Sequence, residues 1–161
     1  MPVLFDELER AAWGGFIVTQ SKVFAAIELD LRKRFGVTHT EFEVLLRLSF
    51  APGGKKRILE LAEQSLLSRS GTSRAVERLV RAGHVEREGA SEDGRGAYAV
   101  LTARGREHFM KAAAEHVALV RREFLGHFTR SELKTLAAAW DRVNGGRAPK
   151  PKRRAARARN G

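Results

Sequence analysis

The order of segments between residues 58 and 101 limits this chain more than any other feature of it. ILELAEQSL is a short amphipathic piece in which Leu59, Ala62 and Leu66 share a face at helical spacing, long enough only for a short helix. Leu67 then leads into SRSGTSRAVERLVRAG, where Ser68 is a suitable N-cap and Gly83 a suitable C-terminal stop. A second helix therefore follows the first after a tight turn. His84-Val85-Glu86-Arg87 and Ala97-Tyr98-Ala99-Val100-Leu101 read as two short strands around the polar, glycine-bearing EGASEDGRG, which makes a hairpin. Few arrangements other than a winged helix-turn-helix demand this order.

The flanks read as long helices. From about Phe5 to Phe35 apolar residues recur at Phe16, Val23, Phe24, Ile27 and Leu31, close to the helical period, and Gly14-Gly15 predicts a kink or a late start. The next helix opens at Thr38 with Glu41 three residues on as a capping box, and its apolar face is Phe42, Leu45, Leu46 and Phe50, before Pro52-Gly53-Gly54 ends it. Beyond the hairpin Thr102 caps a helix to about Leu125, and Thr129 with Glu132 opens a last one that ends near Gly145.

On the helix from Arg69 to Ala82, steps of 100° per residue put Thr72, Ala75, Val76 and Leu79 on one face and Ser70, Arg74, Glu77 and Arg81 opposite, with Arg69, Ser73 and Arg78 on the flanks. The first face packs. The second carries short hydroxyls and guanidinium groups, which allow close approach to a major groove where Arg reaches guanine and Ser or the helix N-terminus meets phosphate. Taken alone, the same face also suits an ordinary solvated helix.

The formal net charge is +11. Residues 1–54, 55–95, 96–144 and 145–161 contribute −1, +2, +3 and +7. Most of the excess thus falls in the tail GGRAPKPKRRAARARNG, which has no large apolar residue, is expected to be disordered, and suits either solvation or a sequence-independent grip on phosphate. With no cysteine, disulfides, thiolate metal sites and thiol redox sensing are excluded. His39, His84, His108, His116 and His127 show no compact metal spacing, so no metal is expected, and no cofactor. No Gly-x-Ser-x-Gly or phosphate-binding glycine loop occurs, so no enzymatic role is expected. There is no apolar run of about 20 residues and the N-terminus is acidic, so a soluble cytoplasmic protein without membrane association is expected.

The stretch from LAEQSLLSRSGTSRAVERLVRAGHVERE to SEDGRGAYAVLTARGRE resembles the MarR family of transcription regulators. The resemblance rests on Leu-Ala-Glu, Ser-Arg-Ser, the series Arg74, Leu79, Gly83 and Val85, Asp93-x-Arg95, and Leu101-Thr102-x-x-Gly105, over about 50 residues. It implies a mainly α fold with a small β-hairpin wing, a winged helix-turn-helix flanked by long dimerisation helices. The expected division is 1–36 for an N-terminal dimerisation helix, 38–101 for the DNA-binding domain, 102–145 for C-terminal dimerisation helices, and 146–161 for the basic tail. It further implies a homodimer on double-stranded DNA with a pseudopalindromic operator, usually repressing, and release by a small aromatic effector.

In such proteins the wing arginine, here Arg95, enters the minor groove while Asp93 holds its guanidinium; an arginine on a polar hairpin tip has the reach for a narrow groove. The DNA-binding candidates are Ser68, Arg69, Ser70, Ser73, Arg74, Arg78, Asp93 and Arg95. Trp13, Phe16 and Phe42 are the effector-pocket candidates, although an aromatic stripe of this kind, Phe24 included, is more often core or dimer packing. One departure is Ser65 followed by Leu66, where relatives have an apolar residue and Gly in the turn before the second helix. A non-specific nucleoid-type or protein-binding winged helix, with the tail supplying most of the affinity, is the alternative reading.

Overall fold

The computed structural model describes residues 4–63, 69–89 and 96–145. The chain divides into two compact units, the first ending at Phe124 and the second beginning at Leu125.

In the first unit, helix α1 (Glu7–Asp30) starts at a capping box: the Asp6 carboxylate accepts from the Glu9 amide and the Glu9 side chain from the Asp6 amide. Gly14 and Gly15 lie within this helix without interrupting it, contrary to the expected kink or late start. Two glycines cost about 2 kcal/mol of helix propensity, too little to break a helix of 24 residues that is capped at its start. A π-helical turn (Leu31–Phe35) follows, closed by Gly36. Helix α2 (His39–Phe50) opens with the expected Thr38–Glu41 capping box. Its first free amide, on His39, donates to the Glu28 carboxylate of α1 at 2.7 Å.

Strand β1 (Lys55–Arg57) was not foreseen from the sequence. It pairs antiparallel with β3 (Tyr98–Leu101), which pairs antiparallel with β2 (Val85–Glu88), so the sheet has the order β1-β3-β2. Helices α3 (Ile58–Glu63) and α4 (Arg69–Arg81) lie between β1 and β2 in sequence and pack on each other. Helix α5 (Ala103–Glu123) begins at Thr102, whose hydroxyl accepts from the Gly105 amide at 2.9 Å.

The core collects Ile27 and Leu31, Phe42, Val44, Leu45 and Leu48 of α2, Leu61 of α3, Ala75, Val76 and Leu79 of α4, Val85, Ala99 and Leu101 of the sheet, and Phe109, Ala112 and Leu119 of α5. Two expected core faces are corrected. Phe50 is 74% exposed, because α2 ends there and the chain turns into extended backbone at Ala51. In α3 the buried pair is Leu61 and Ala62, with Leu59 exposed; Leu66, expected to share that face, lies outside the described residues.

In the second unit, α6 (Arg130–Val143) begins at the expected Thr129–Glu132 capping box and buries none of its residues. Among the described residues no helix is long and apolar enough to cross a membrane.

Candidate nucleic-acid interface

The geometry of α4 follows from its two faces. Thr72, Ala75, Val76 and Leu79 are buried to 1% exposure or less, whereas Ser70, Arg74, Glu77, Arg78 and Arg81 are exposed and Ser73 is half-buried. The packed face seats the helix on α2 and α3. The other face presents side chains of the kind a major groove accepts. Arg74 lies back along its own helix, Nε donating to the Ser70 carbonyl at 3.3 Å, and Ser73 Oγ approaches the Glu77 carboxylate at 3.4 Å.

Arg78 is placed differently. Its Nε donates to Oε1 of Glu41 on α2, a carboxylate that is buried and also holds the start of that helix. The sequence placed both residues but not their pairing, because they are 37 positions apart and neither helical period reports on the other.

The end of α4 is tied to the sheet and to α5 at one point. Gly83, with φ of +72°, turns the chain out of the helix, as its position predicted. The His84 amide then donates to the Leu79 carbonyl at 2.9 Å, the Thr102 amide to the His84 carbonyl at 3.1 Å, and the Thr102 hydroxyl to the Gly83 carbonyl at 2.9 Å. Any movement of α4 therefore carries the base of the hairpin with it. Between the last turns of α4 and β2 lies an open cleft of about 350 Å³ lined by Glu77, Val80, Arg81 and Arg87.

The sheet adds cations outside the set of DNA-binding candidates. Tyr98 accepts from Arg57 Nε at 2.9 Å, and its ring lies 4.7 Å from Lys55 Nζ and 5.4 Å from the Arg57 guanidinium carbon. Lys55 also pairs with Glu88 across the sheet. The basic run Lys55-Lys56-Arg57 was the visible signal, and its strand register only emerges once β3 is in place.

Ser68, Asp93 and Arg95, and the Ser65-Leu66 turn, lie outside the described residues, as does the tail from residue 146; Arg69 opens α4. Of the effector candidates, Phe42 belongs to the core at 2% exposure, its ring 5.6 Å from Phe109 and 4.8 Å from His116. Trp13 and Phe16 instead form a ring pair on α1, 5.8 Å apart and 54% and 41% exposed. Phe42 thus packs within the core.

His84 is buried, His39, His108 and His116 are half-buried, and His127 is exposed. His84 and His108 stack at 4.2 Å with planes 17° apart, and His108 meets Phe35 edge-on. Burial holds the pKa of His84, His108 and His116 below the ordinary histidine value. No group of three or more metal-ligating side chains assembles among the described residues.

The sequence model described as the MarR family matches residues 35–96. AbsC, a MarR family transcriptional regulator from Streptomyces coelicolor, is 32% identical, with 89% of this chain and 96% of that one covered and a TM-score of 0.80. The chain belongs to the MarR family of transcriptional regulators. Its mainly helical architecture with a small antiparallel sheet is the winged helix fold of that family. Sco3205, a MarR family regulator from Streptomyces coelicolor solved in complex with DNA, is 29% identical, with 93% and 94% of the two chains covered and a TM-score of 0.81. Sco5413, from the same organism, shares the fold at 24% identity and a TM-score of 0.72, with 88% and 97% covered. A search of curated proteins finds no match.

Proposed function

We propose that this MarR family member is a sequence-specific DNA-binding repressor that acts in the cytoplasm as a homodimer, with α4 of each chain in successive major grooves of a pseudopalindromic operator. The observation that carries this reading is the outward face of α4, where Ser70, Ser73 and Arg74 lie beside one another on a helix locked from behind by four buried residues. The family resemblance adds Ser68 and Arg69 to these candidates and gives Asp93 and Arg95 the minor-groove contact. The related Sco3205, solved with DNA, supports duplex DNA as the partner.

Dimer formation is supported by α1, which exposes Leu8, Trp13, Phe16, Ile17, Val18 and Phe24. An apolar surface of that extent on one helix calls for a partner. Two-fold symmetry then places the two recognition helices about 34 Å apart, one turn of B-DNA. A small aromatic effector bound near the dimerisation helices would release the operator by favouring a spacing that no longer fits the grooves.

The test is a selection from random duplexes with the chain lacking residues 146–161, followed by native mass measurement of the selected complex. A two-fold symmetric motif bound by two chains is the expected result. Absence of a motif, with duplex affinity disappearing along with the tail, would replace this reading by non-specific binding.

A further inference from the structure

We infer that Glu41 is a positioning residue for DNA binding, a buried carboxylate that aims the Arg78 guanidinium outward from the recognition helix as a preformed phosphate contact. The inference rests on the proposed DNA-binding function and adds to it a residue on α2 that lies outside the recognition helix.

The chemistry starts from the cost of burying Glu41. Its side chain is 7% exposed, and an ionised carboxylate in such a place needs donors on both oxygens. Oε2 receives the Thr38 amide at 2.6 Å and the Thr38 hydroxyl at 3.0 Å, and Oε1 receives Arg78 Nε. The carboxylate cannot swing to follow the arginine, because its other oxygen is the capping box of α2. The α2 start is itself held from the far side by Glu28, which accepts from the His39 amide. Glu41 is therefore a fixed acceptor, and Arg78 is the group that must conform.

Binding through Nε leaves the outer edge of the guanidinium to solvent. Arg78 remains 44% exposed, and its Nη groups make no hydrogen bond to any described residue. It sits one helical turn beyond Arg74, on the flank of the outward face. An arginine loses much rotamer freedom when it meets phosphate, and here that loss is already taken in the free protein. A solvated arginine such as Arg74, which among the described residues donates to its own helix carbonyl, has no such anchor there.

The experiment measures binding of the full chain to its selected duplex and to a scrambled duplex over a range of salt, for wild type, Glu41→Gln, Arg78→Ala and the double variant. Glutamine retains the capping box, and a melting curve for each variant establishes that folded protein is being titrated. Arg78→Ala is expected to weaken binding to both duplexes about tenfold and to lower the log–log salt slope by about one unit per chain. Glu41→Gln, with the arginine still present, is expected to weaken binding about three- to tenfold, and to add nothing once Arg78 is alanine. If Arg78→Ala does not fold, Arg78→Lys replaces it, since lysine lacks the planar fork that offers Nε to Glu41 and its Nη edge outward. Binding by Glu41→Gln equal to wild type, or a loss that persists in full in the Arg78→Ala background, overturns the inference. A wild-type chain that binds neither duplex refutes the DNA-binding reading itself, a distinct result from variants that match a binding wild type.

Discussion

Gly105 lies directly against the His84 carbonyl: a Cβ placed on Gly105 would stand 2.0 Å from that oxygen and 2.8 Å from its carbon. The missing side chain lets the first turn of α5 dock onto the junction of α4 and the sheet, where the Thr102 amide donates to the His84 carbonyl and the Thr102 hydroxyl to the Gly83 carbonyl. This gives a physical reason for the glycine in Leu101-Thr102-x-x-Gly105.

Gly105→Ala should therefore destabilise the fold, although alanine in a helix ordinarily gains about 1 kcal/mol over glycine. The obstructing atoms are backbone, and overpacking of that kind costs about 3 kcal/mol or more. Urea unfolding should show a lower midpoint with an unchanged slope. A midpoint at or above that of wild type would mean that α5 does not seat on His84.

The stacked His84–His108 pair makes stability depend on pH above the carboxylate range. Burial lowers the His84 pKa, with His108 and Arg104 acting in the same direction and Glu41 opposing. Burial also lowers that of His108, against a hydrogen bond to the Phe35 backbone, with Arg104 and Lys111 reinforcing the shift. A group depressed in the folded state is fully stabilising above its unfolded pKa of about 6.5 and loses that contribution as pH falls below it. Tm should fall between pH 7 and pH 5, and His108→Phe, which keeps an aromatic ring over His84, should reduce the fall. A Tm that is flat over this interval would show that the pair titrates normally.

Trp13 and Phe16 carry the dimer prediction. Replacing both with Glu should raise the dimer dissociation constant by about thirtyfold to a thousandfold, at about 1 to 2 kcal/mol for each interface aromatic. Sedimentation equilibrium reads this directly. A dimer mass undisturbed at micromolar concentration would place the subunit interface elsewhere.

Deleting residues 146–161 should weaken binding to all duplexes alike and lower the salt slope by about 0.9 for each phosphate contact removed. Titrations of operator and scrambled duplex over a range of salt separate this from specific readout. A loss confined to the operator would show that the tail reads bases.

Local signals in the sequence were sufficient where the physics is local. The Thr38–Glu41 and Thr129–Glu132 capping boxes, the stop at Gly83 and the buried face of α4 all depend on residues within one or two turns of each other. The Asp6–Glu9 box was equally local and open to the same reading. Strand β1 was invisible because Lys55-Lys56-Arg57 has no apolar alternation and becomes a strand only by pairing with Tyr98, Ala99 and Val100. Phe50 misled because periodicity continued to the last residue of α2, where the core had already ended. The Arg78–Glu41 ion pair and the His84–His108 stack join distant segments, and no period within either segment encodes them.

In the proposed function α4 reads sequence through Arg74. The decisive measurement is fluorescence anisotropy of wild type and Arg74→Ala against the selected duplex and its single-base variants at fixed salt. Arg74→Ala is expected to weaken binding by about 1 to 3 kcal/mol and to lose discrimination at one base pair in each half-site, with preference elsewhere retained. Equal affinity together with unchanged base preference at every position would contradict it.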